Sequence, residues 1–314
     1  MTSRTILTLG LIIILLVSAV GLTSAGERNK PVRVSDDDGA YAREIEKWRA
    51  ERVEEISGKD GWLSLVGLFW LHDGENKFGS DSSNDIVLPA DRAPRFAGSL
   101  LLDKGVLRLK SKPESGITNE GKTAGSLVLH SDADGKPTQL KMGSLTLFAI
   151  KRGEKLGLRV KDKQHPARFH FSGLEYFPID VKWRLKVKFE PYVPLKVIPI
   201  VNVLGMIDNM PSPGALVFEV NGKSYRLDAV NEKGSKQLFI IFADRTAGKE
   251  TYGAGRYLYV DPPGADGPVI LDFNKAYNPP CAFTKFATCP LPPRQNRLAL
   301  RVEAGEKKYA GGEH

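Results

Sequence analysis

Apolar residues recur at near-helical spacing across residues 40–57, with Arg, Glu and Lys between them. The apolar positions are Tyr41, Ile45, Trp48, Val53 and Ile56. This spacing predicts an amphipathic helix that packs one apolar stripe on a sheet. Acidic residues at 36–38 favour a helix start, because the helix dipole attracts negative charge there. Gly58 is a natural stop.

From Trp62 onwards the pattern changes to short apolar runs separated by Gly, Asp, Asn and Pro. Runs such as 63–71 and 145–150 recur about every ten residues, a spacing that is typical of all-β sandwiches. The sequence therefore predicts a helix followed by a β-sandwich over residues 40–165.

A second set of strands is predicted after residue 166. Residues 181–189 alternate strictly between apolar side chains and cations. We expect a strand with one buried face and one solvated face, although four cations in a row could also meet a phosphate or carboxylate polymer. Asn221-Gly222 between two apolar runs predicts a hairpin with a type I′ turn. The chain is thus predicted to be mainly β, with a second antiparallel β-sandwich or barrel over 166–306 and a tail at 307–314.

Residues 1–25 have the order of a secretory signal peptide. Arg4 precedes an apolar run, and the small residues at 23–26 allow cleavage after Ala25. The alternative is an uncleaved anchor, since 22 uncharged residues at ~1.5 Å each would span ~30 Å of hydrocarbon. We expect cleavage, a polar linker at 26–39, and export of the folded part to the periplasm or the medium.

The net charge and the missing motifs limit the classes of function that the sequence supports. The formal net charge of +8 is spread along the chain, which favours solubility and weak attraction of anions and does not indicate nucleic-acid binding. The signatures G-x-S-x-G, H-E-x-x-H and G-x-x-x-x-G-K-[ST] are missing from the sequence. The histidines form no pair at ligand spacing, so we expect no metal site and no cofactor.

Polar residues collect on a Gly-rich loop between two predicted strands and directly after a later strand. The loop carries Asp244, Thr246, Thr251, Tyr252 and Arg256, and the later group is Asp272, Asn274 and Tyr277. Loops on a rigid scaffold often carry binding groups, so these eight residues are the candidate binding site. The alternative is a long turn whose Asp and Thr side chains satisfy their own backbone, with Arg256 paired to Asp244.

The block at 271–297 holds five prolines and both cysteines, Cys281 and Cys289. An exported protein meets oxidising conditions, so we expect a disulfide. Closing this short loop would stabilise the fold by about 2.6 kcal/mol on the chain-entropy model. Reduced structural thiols and a reactive cysteine are the alternatives, and only Lys285 lies close enough in sequence to activate a thiol.

Several of these segments resemble a bacterial and archaeal family of uncharacterised proteins, DUF1684. The resemblance is carried by 60–71, by 78–80 with 84–89, by Thr251-Tyr252 with Gly255-Arg256, and by the block from Asp272 to Pro290. It covers about residues 45–306. The resemblance implies kinship and leaves the activity open.

Phe78-Gly79-Ser80 followed by Asn84-Asp85-Ile86 also resembles the early strands of forkhead-associated (FHA) domains, β-sandwiches that read phosphothreonine. That family needs Arg where Ser80 stands, and it needs an S-x-x-H motif that is missing from 93–100. Asn119-Glu120-Gly121 only approximates its Asn-Gly. The resemblance therefore implies an FHA-like scaffold without phosphothreonine binding.

The leading hypothesis is an exported, non-enzymatic envelope protein that binds an unknown small molecule or an envelope partner. It would touch a membrane only through an uncleaved N-terminal segment. A hydrolase that uses Asp244, Tyr252, Arg256 and Asp272 is the alternative, so the sequence leaves open whether the protein is an enzyme. A structural partner in an envelope assembly is a third class, which requires a large exposed apolar patch.

Overall fold

The computed structural model describes residues 1, 38–264 and 268–311. The predicted signal peptide beyond residue 1, the linker up to residue 37 and the last three residues of the tail lie outside the described residues. Within the described part of the chain, no helix is long and apolar enough to cross a membrane.

Helix α1 runs from Asp38 to Ser57 and confirms the predicted amphipathic helix. Tyr41, Ile45 and Ile56 on its apolar stripe are buried, as the spacing predicts. Arg52 is buried on the same side of the helix at 3% exposure. The buried stripe of α1 therefore carries a charge as well as apolar side chains.

The N-terminal strands form two facing sheets. Their bounds are β1 Leu65–Trp70, β2 Gly74–Gly79, β3 Ile86–Val87, β4 Gly98–Asp103, β5 Val106–Ser111, β6 Thr118–Asn119, β7 Lys122–Thr123, β8 Ser126–Leu129, β9 Leu140–Met142, β10 Leu145–Arg152 and β11 Lys155–Asp162. One sheet has the order β3-β2-β4-β5-β8, and the other has the order β1-β11-β10-β9-β6-β7. Leu100 and Leu109 of the first sheet and Leu147 and Leu158 of the second belong to one buried core. This is the predicted β-sandwich.

Strand β11 presents a charged side chain on the outer face of this sandwich. Leu158 and Val160 belong to the core, so Arg159 between them points to the opposite face because strand side chains alternate. Its neighbours across the sheet are Leu68 on β1 and Phe148 on β10. Arg159 is nevertheless buried, which means that another part of the chain covers this outer face.

After a short helix α2, Pro166–Phe169, six strands make a second antiparallel sheet. They are β12 Arg184–Val201, β13 Ile207–Val220, β14 Lys223–Asn231, β15 Leu238–Phe242, β16 Arg256–Val260 and β17 Val269–Asp272, in the order β16-β15-β14-β13-β12-β17. Asn221 and Gly222 have φ of 52° and 74°, as the predicted type I′ turn requires. A second core lies on this sheet and includes Leu216, Phe242 and Leu271. The prediction of a second antiparallel β unit is thus confirmed.

The cationic strand begins later than the sequence predicts. Residues 181–183 form a single 3₁₀ turn, because the Asp180 carboxylate accepts the N–H of Lys182 at its start. From there β12 continues to Val201, and Leu185 and Val187 are buried while Lys186 and Lys188 are exposed. The cations therefore form a solvated face.

The far ends of β12 and β13 form a hairpin with exposed apolar side chains. Val193, Val197 and Ile207 are 90%, 62% and 61% exposed. Pro191 and Pro199 on β12 have no N–H, which limits pairing of this edge with another strand. The structural-partner hypothesis requires a large contiguous apolar patch and stays a prediction.

Candidate functional site

The polar side chains of the predicted loop at 244–256 make hydrogen bonds with one another. Asp244 accepts the hydroxyl of Thr246 at 2.9 Å, and the hydroxyl oxygens of Thr246 and Thr251 lie 2.9 Å apart. Arg256 Nη2 donates to Asp244 Oδ1 at 3.2 Å, with both side chains 1% exposed. These contacts match the alternative interpretation of the sequence, a long turn closed by an Asp244–Arg256 pair.

Arg256 also holds the C-terminal segment against the sheet. It donates to the carbonyl oxygens of Val302 at 3.0 Å and Ala304 at 2.5 Å, while Asp244 accepts the N–H of Val302 at 2.7 Å. Burial lowers the pKa of Arg256, and the Asp244 carboxylate opposes that shift. The Asp244–Arg256 pair thus holds the C-terminal segment at 302–304 in place.

Two of the predicted residues at the end of β17, Asp272 and Asn274, anchor helix α1. The hydroxyl of Tyr41 donates to the Asp272 carboxylate at 2.8 Å. Asn274 Nδ2 donates to the Tyr41 oxygen at 2.9 Å and to the carbonyl of Asp180 at 2.9 Å. Burial raises the pKa of Asp272, and the donors Tyr41 and Asn274 work against that rise.

The two tyrosines among the predicted residues are placed differently. The hydroxyl of Tyr252 donates to the carbonyl of Cys281 at 3.1 Å, so the polar loop does touch the Pro/Cys block. Tyr277 exchanges backbone hydrogen bonds with Tyr257 on β16 and lines a cavity. Of the eight predicted binding residues, Tyr277 alone lines this cavity, and a binding role for all eight stays a prediction.

The cavity of about 320 Å³ lies between the outer face of the N-terminal sandwich, helix α1 and the C-terminal sheet. Trp62, Arg152 and Arg159 line it from the sandwich side, and Trp48, Arg52 and Glu55 line it from the helix. The C-terminal part contributes aromatic rings and the segment from Ala287 to Pro290. The Pro/Cys block thus forms one wall of the candidate site.

Arg159 is the unusual member of this lining. Its side chain is 6% exposed, and its Nε is buried without a hydrogen-bond partner. Within the described residues its guanidinium makes no hydrogen bond and no ion pair, and it lies 5.8 Å from the centre of the Trp62 ring. Burial, and then the positive Arg152, lower the pKa of Arg159 to about 10.

The other two cavity arginines are fully engaged. Arg152 Nη1 donates to the Asp132 carboxylate at 2.8 Å, and its Nε donates to Thr288 at 3.0 Å. Arg52 donates to Glu306 at 3.0 Å, to Glu55 at 2.7 Å and to a backbone carbonyl at 2.7 Å. Among the three described arginines that line the cavity, Arg159 is therefore the one whose guanidinium has no anionic partner.

An aromatic wall faces these arginines. The rings of Tyr257 and Tyr277 meet at 90° with centres 5.8 Å apart, and Phe239 stacks on Tyr259 at 5.0 Å. The hydroxyl of Tyr257 donates to the carbonyl of Pro290 at 2.7 Å. These stacked and edge-to-face contacts give the cavity a well-packed aromatic side.

Both cysteines are free thiols. The N–H of Cys281 donates to Cys289 Sγ at 3.0 Å. Burial raises the pKa of Cys289, whereas a hydrogen bond from Cys289 lowers the pKa of Cys281. Cys289 lines the cavity. The disulfide between the two thiols stays a prediction.

Acidic residues and histidines of the described chain do not cluster as metal ligands. No group of three or more His, Cys, Asp or Glu side chains between residues 38 and 311, leaving aside 265–267, is placed to hold a metal ion.

Sequence reasoning missed most of the cavity. Trp62 lies in one of the segments that carry the DUF1684 resemblance, but Arg159 gave only a weak signal, a lone cation inside the apolar run 156–160. The cavity is formed by three elements that are distant in sequence, and a local sequence pattern does not show that such elements contact one another.

Comparison with known proteins matches the chain to a family model and to several solved structures, including the following two. A family model described as "Protein of unknown function (DUF1684)" matches residues 169–307. The solution NMR structure of an uncharacterized protein from Haloarcula marismortui is 32% identical, with 45% of this chain and 78% of that chain covered and a TM-score of 0.37. A structure from a structural and functional analysis of phosphothreonine-dependent FHA domain interactions is 15% identical, with 30% of this chain and 92% of that chain covered and a TM-score of 0.22. No curated protein matches the chain.

Proposed function

Since the chain belongs to the DUF1684 family of proteins of unknown function, we propose its function from the cavity: it captures a small anionic ligand there and does not transform it. The observation that carries this proposal is Arg159. A buried guanidinium without a counter-ion is costly, and a ligand carboxylate or phosphate would supply the missing partner.

The shape of the cavity supports a small, partly apolar ligand. Its volume of about 320 Å³ lies at the lower end of the roughly 300–1,000 Å³ found for small-molecule sites. Trp62 on one side and the rings of Tyr257 and Tyr277 on the other offer flat apolar contacts. Such sites combine an apolar lining with a few polar groups that fix the ligand's orientation.

The chemistry of the lining favours binding over catalysis. No histidine is among the described residues that line the cavity, and burial raises the pKa of the Cys289 thiol, which suppresses its thiolate form. The residues of the hydrolase hypothesis have partners elsewhere: Asp244 with Arg256, and Asp272 with Tyr41. That hypothesis has no comparable observation in its favour.

The proposed place of action is outside the cytoplasm, in the cell envelope or the medium. The N-terminal sequence supports export, with an apolar run and small residues before Gly26. N-terminal sequencing of the protein recovered from each cell fraction tests this. We expect a mature chain that starts at Gly26 in the exported fraction, and a full-length chain in the cytosol would contradict it.

Calorimetric titration tests the binding proposal, with aromatic and aliphatic carboxylates and phosphate monoesters as probes. Arg159→Gln should weaken binding of the best probe about 10- to 100-fold, because a charge-assisted hydrogen bond contributes about 1.5–3 kcal/mol. Arg108→Gln, on the exposed face of β5, is the matched control and should bind like wild type. Unchanged affinity in Arg159→Gln would overturn the proposal, and so would hydrolysis of an ester, phosphoester or glycoside panel that Arg159→Gln abolishes.

A further inference from the structure

The cavity has a second charged region opposite in sign to Arg159. The hydroxyl of Tyr259 donates to the Glu232 carboxylate at 2.5 Å. Burial raises the pKa of the Tyr259 phenol. The hydrogen bond to Glu232 and the negative charges of Glu232 and Glu55 raise this pKa further. Both carboxylates line the cavity together with the ring of Tyr277.

Glu55 and Glu232 are exposed to solvent, and the protein does not neutralise them. Arg52 is one cation facing two carboxylates, Glu55 and Glu306. Glu232 makes no ion pair within the described part of the chain. The region therefore holds three carboxylates against one guanidinium, and it keeps an excess of one negative charge even when the buried Glu306 is protonated.

The region around Arg159 has the opposite imbalance. Arg152 is paired with Asp132 at 2.8 Å, and Arg159 adds a second cation without a second acid. One cavity thus has a buried guanidinium without an anion in one region and an excess of exposed carboxylates in another. A ligand with a single charge would satisfy only one of them.

We propose that the ligand is a zwitterion of the amino-acid class, with its carboxylate on Arg159 and its ammonium group beside Glu232. The inference rests on the proposed anion site and names its ligand class. The Arg52 guanidinium already lies 4.5 Å from the centre of the Tyr277 ring, so Glu232 is the group that attracts the ammonium. The aromatic wall then contacts the ligand's side chain.

Matched ligands separate the two charges. The standard amino acids are screened by the rise in melting temperature of the purified protein. The best amino acid is then compared by calorimetry with its N-acetyl form, which lacks the cation, and its amide, which lacks the anion. We expect the free amino acid to bind about fivefold more tightly than its N-acetyl form, as one ammonium–carboxylate pair allows. The amide should bind more weakly still, because it leaves Arg159 unpaired.

The variant Glu232→Gln removes the acid and keeps the side-chain shape. It should abolish the preference for the free amino acid and leave the affinity of the N-acetyl form unchanged. Glu154→Gln, in the exposed turn after β10, is the control. Equal binding of the free and N-acetyl forms, or an unchanged preference in Glu232→Gln, would overturn the zwitterion inference and leave the anion site standing. If no carboxylate or phosphate binds the wild-type protein, the proposed function fails as well.

Discussion

Replacing Arg159 by Met should make the ligand-free protein more stable. Burial lowers the pKa of Arg159 from its ordinary value to about 10, which corresponds to about 3 kcal/mol at ~1.4 kcal/mol for each tenfold change in proton affinity. The folded pKa is depressed for a base, so the cost is fully present at any pH below about 10 and declines as the pH rises above that value. Met fills a similar space without a charge, so we expect a gain of about 2–3 kcal/mol at pH 7.5.

The assay is thermal unfolding of the ligand-free protein by scanning calorimetry at pH 7.5. At about 2 °C per kcal/mol for a large domain, the melting temperature of Arg159→Met should rise by about 4–6 °C. Arg108→Met on exposed β5 is the control and should shift the stability by no more than about 0.5 kcal/mol. The variant should also lose ligand binding, a gain in stability at the expense of function. A lower melting temperature in Arg159→Met would show that the fold compensates this charge and would refute the reasoning.

Three further predictions concern contacts that hold the fold together. Arg256→Ala leaves a buried carboxylate unpaired, so it should lower the free energy of unfolding by about 3–5 kcal/mol, and a loss below about 1 kcal/mol in urea denaturation would contradict the described pairing. Tyr41→Phe removes a donor to the buried Asp272 and should cost about 1–3 kcal/mol, whereas no change would mean that this hydroxyl does not anchor α1. Mass spectrometry of exported protein under non-reducing conditions should find Cys281 linked to Cys289, and two free thiols there would exclude the bridge.

Local patterns were sufficient for most of the secondary structure. The period of α1, the alternation in β12 and the Asn221-Gly222 turn depend on neighbours within a few residues, so the sequence encodes them directly. Short strands such as Gly74–Gly79 carry few apolar residues, and the sequence pattern did not predict that strand.

The candidate site was predictable only in part. The sequence drew attention to Arg256 and Asp272 because polar residues after strands often bind ligands. Their partners in the structure are Asp244 and Tyr41, and both pairs are buried contacts between side chains that are not adjacent in the chain. A charged residue on a loop has the same sequence signal whether it meets a ligand or another side chain, so the signal could not distinguish these outcomes.

The sequence was sufficient to predict the helix, the mainly β class, the hairpin turn and the DUF1684 kinship, since each depends on residues that are adjacent in the chain. The tertiary structure was needed to show that, among the residues it describes, Arg159 is buried without a partner while Arg52 and Arg152 have theirs. The reason is that α1, β11 and the Pro/Cys block are far apart in the chain and come together only in the folded protein. The charges that face the cavity can therefore be counted only once these segments are in place. Contacts between these segments determine which arginine side chains are buried and which are paired. They therefore determine which arginine is left to bind a ligand.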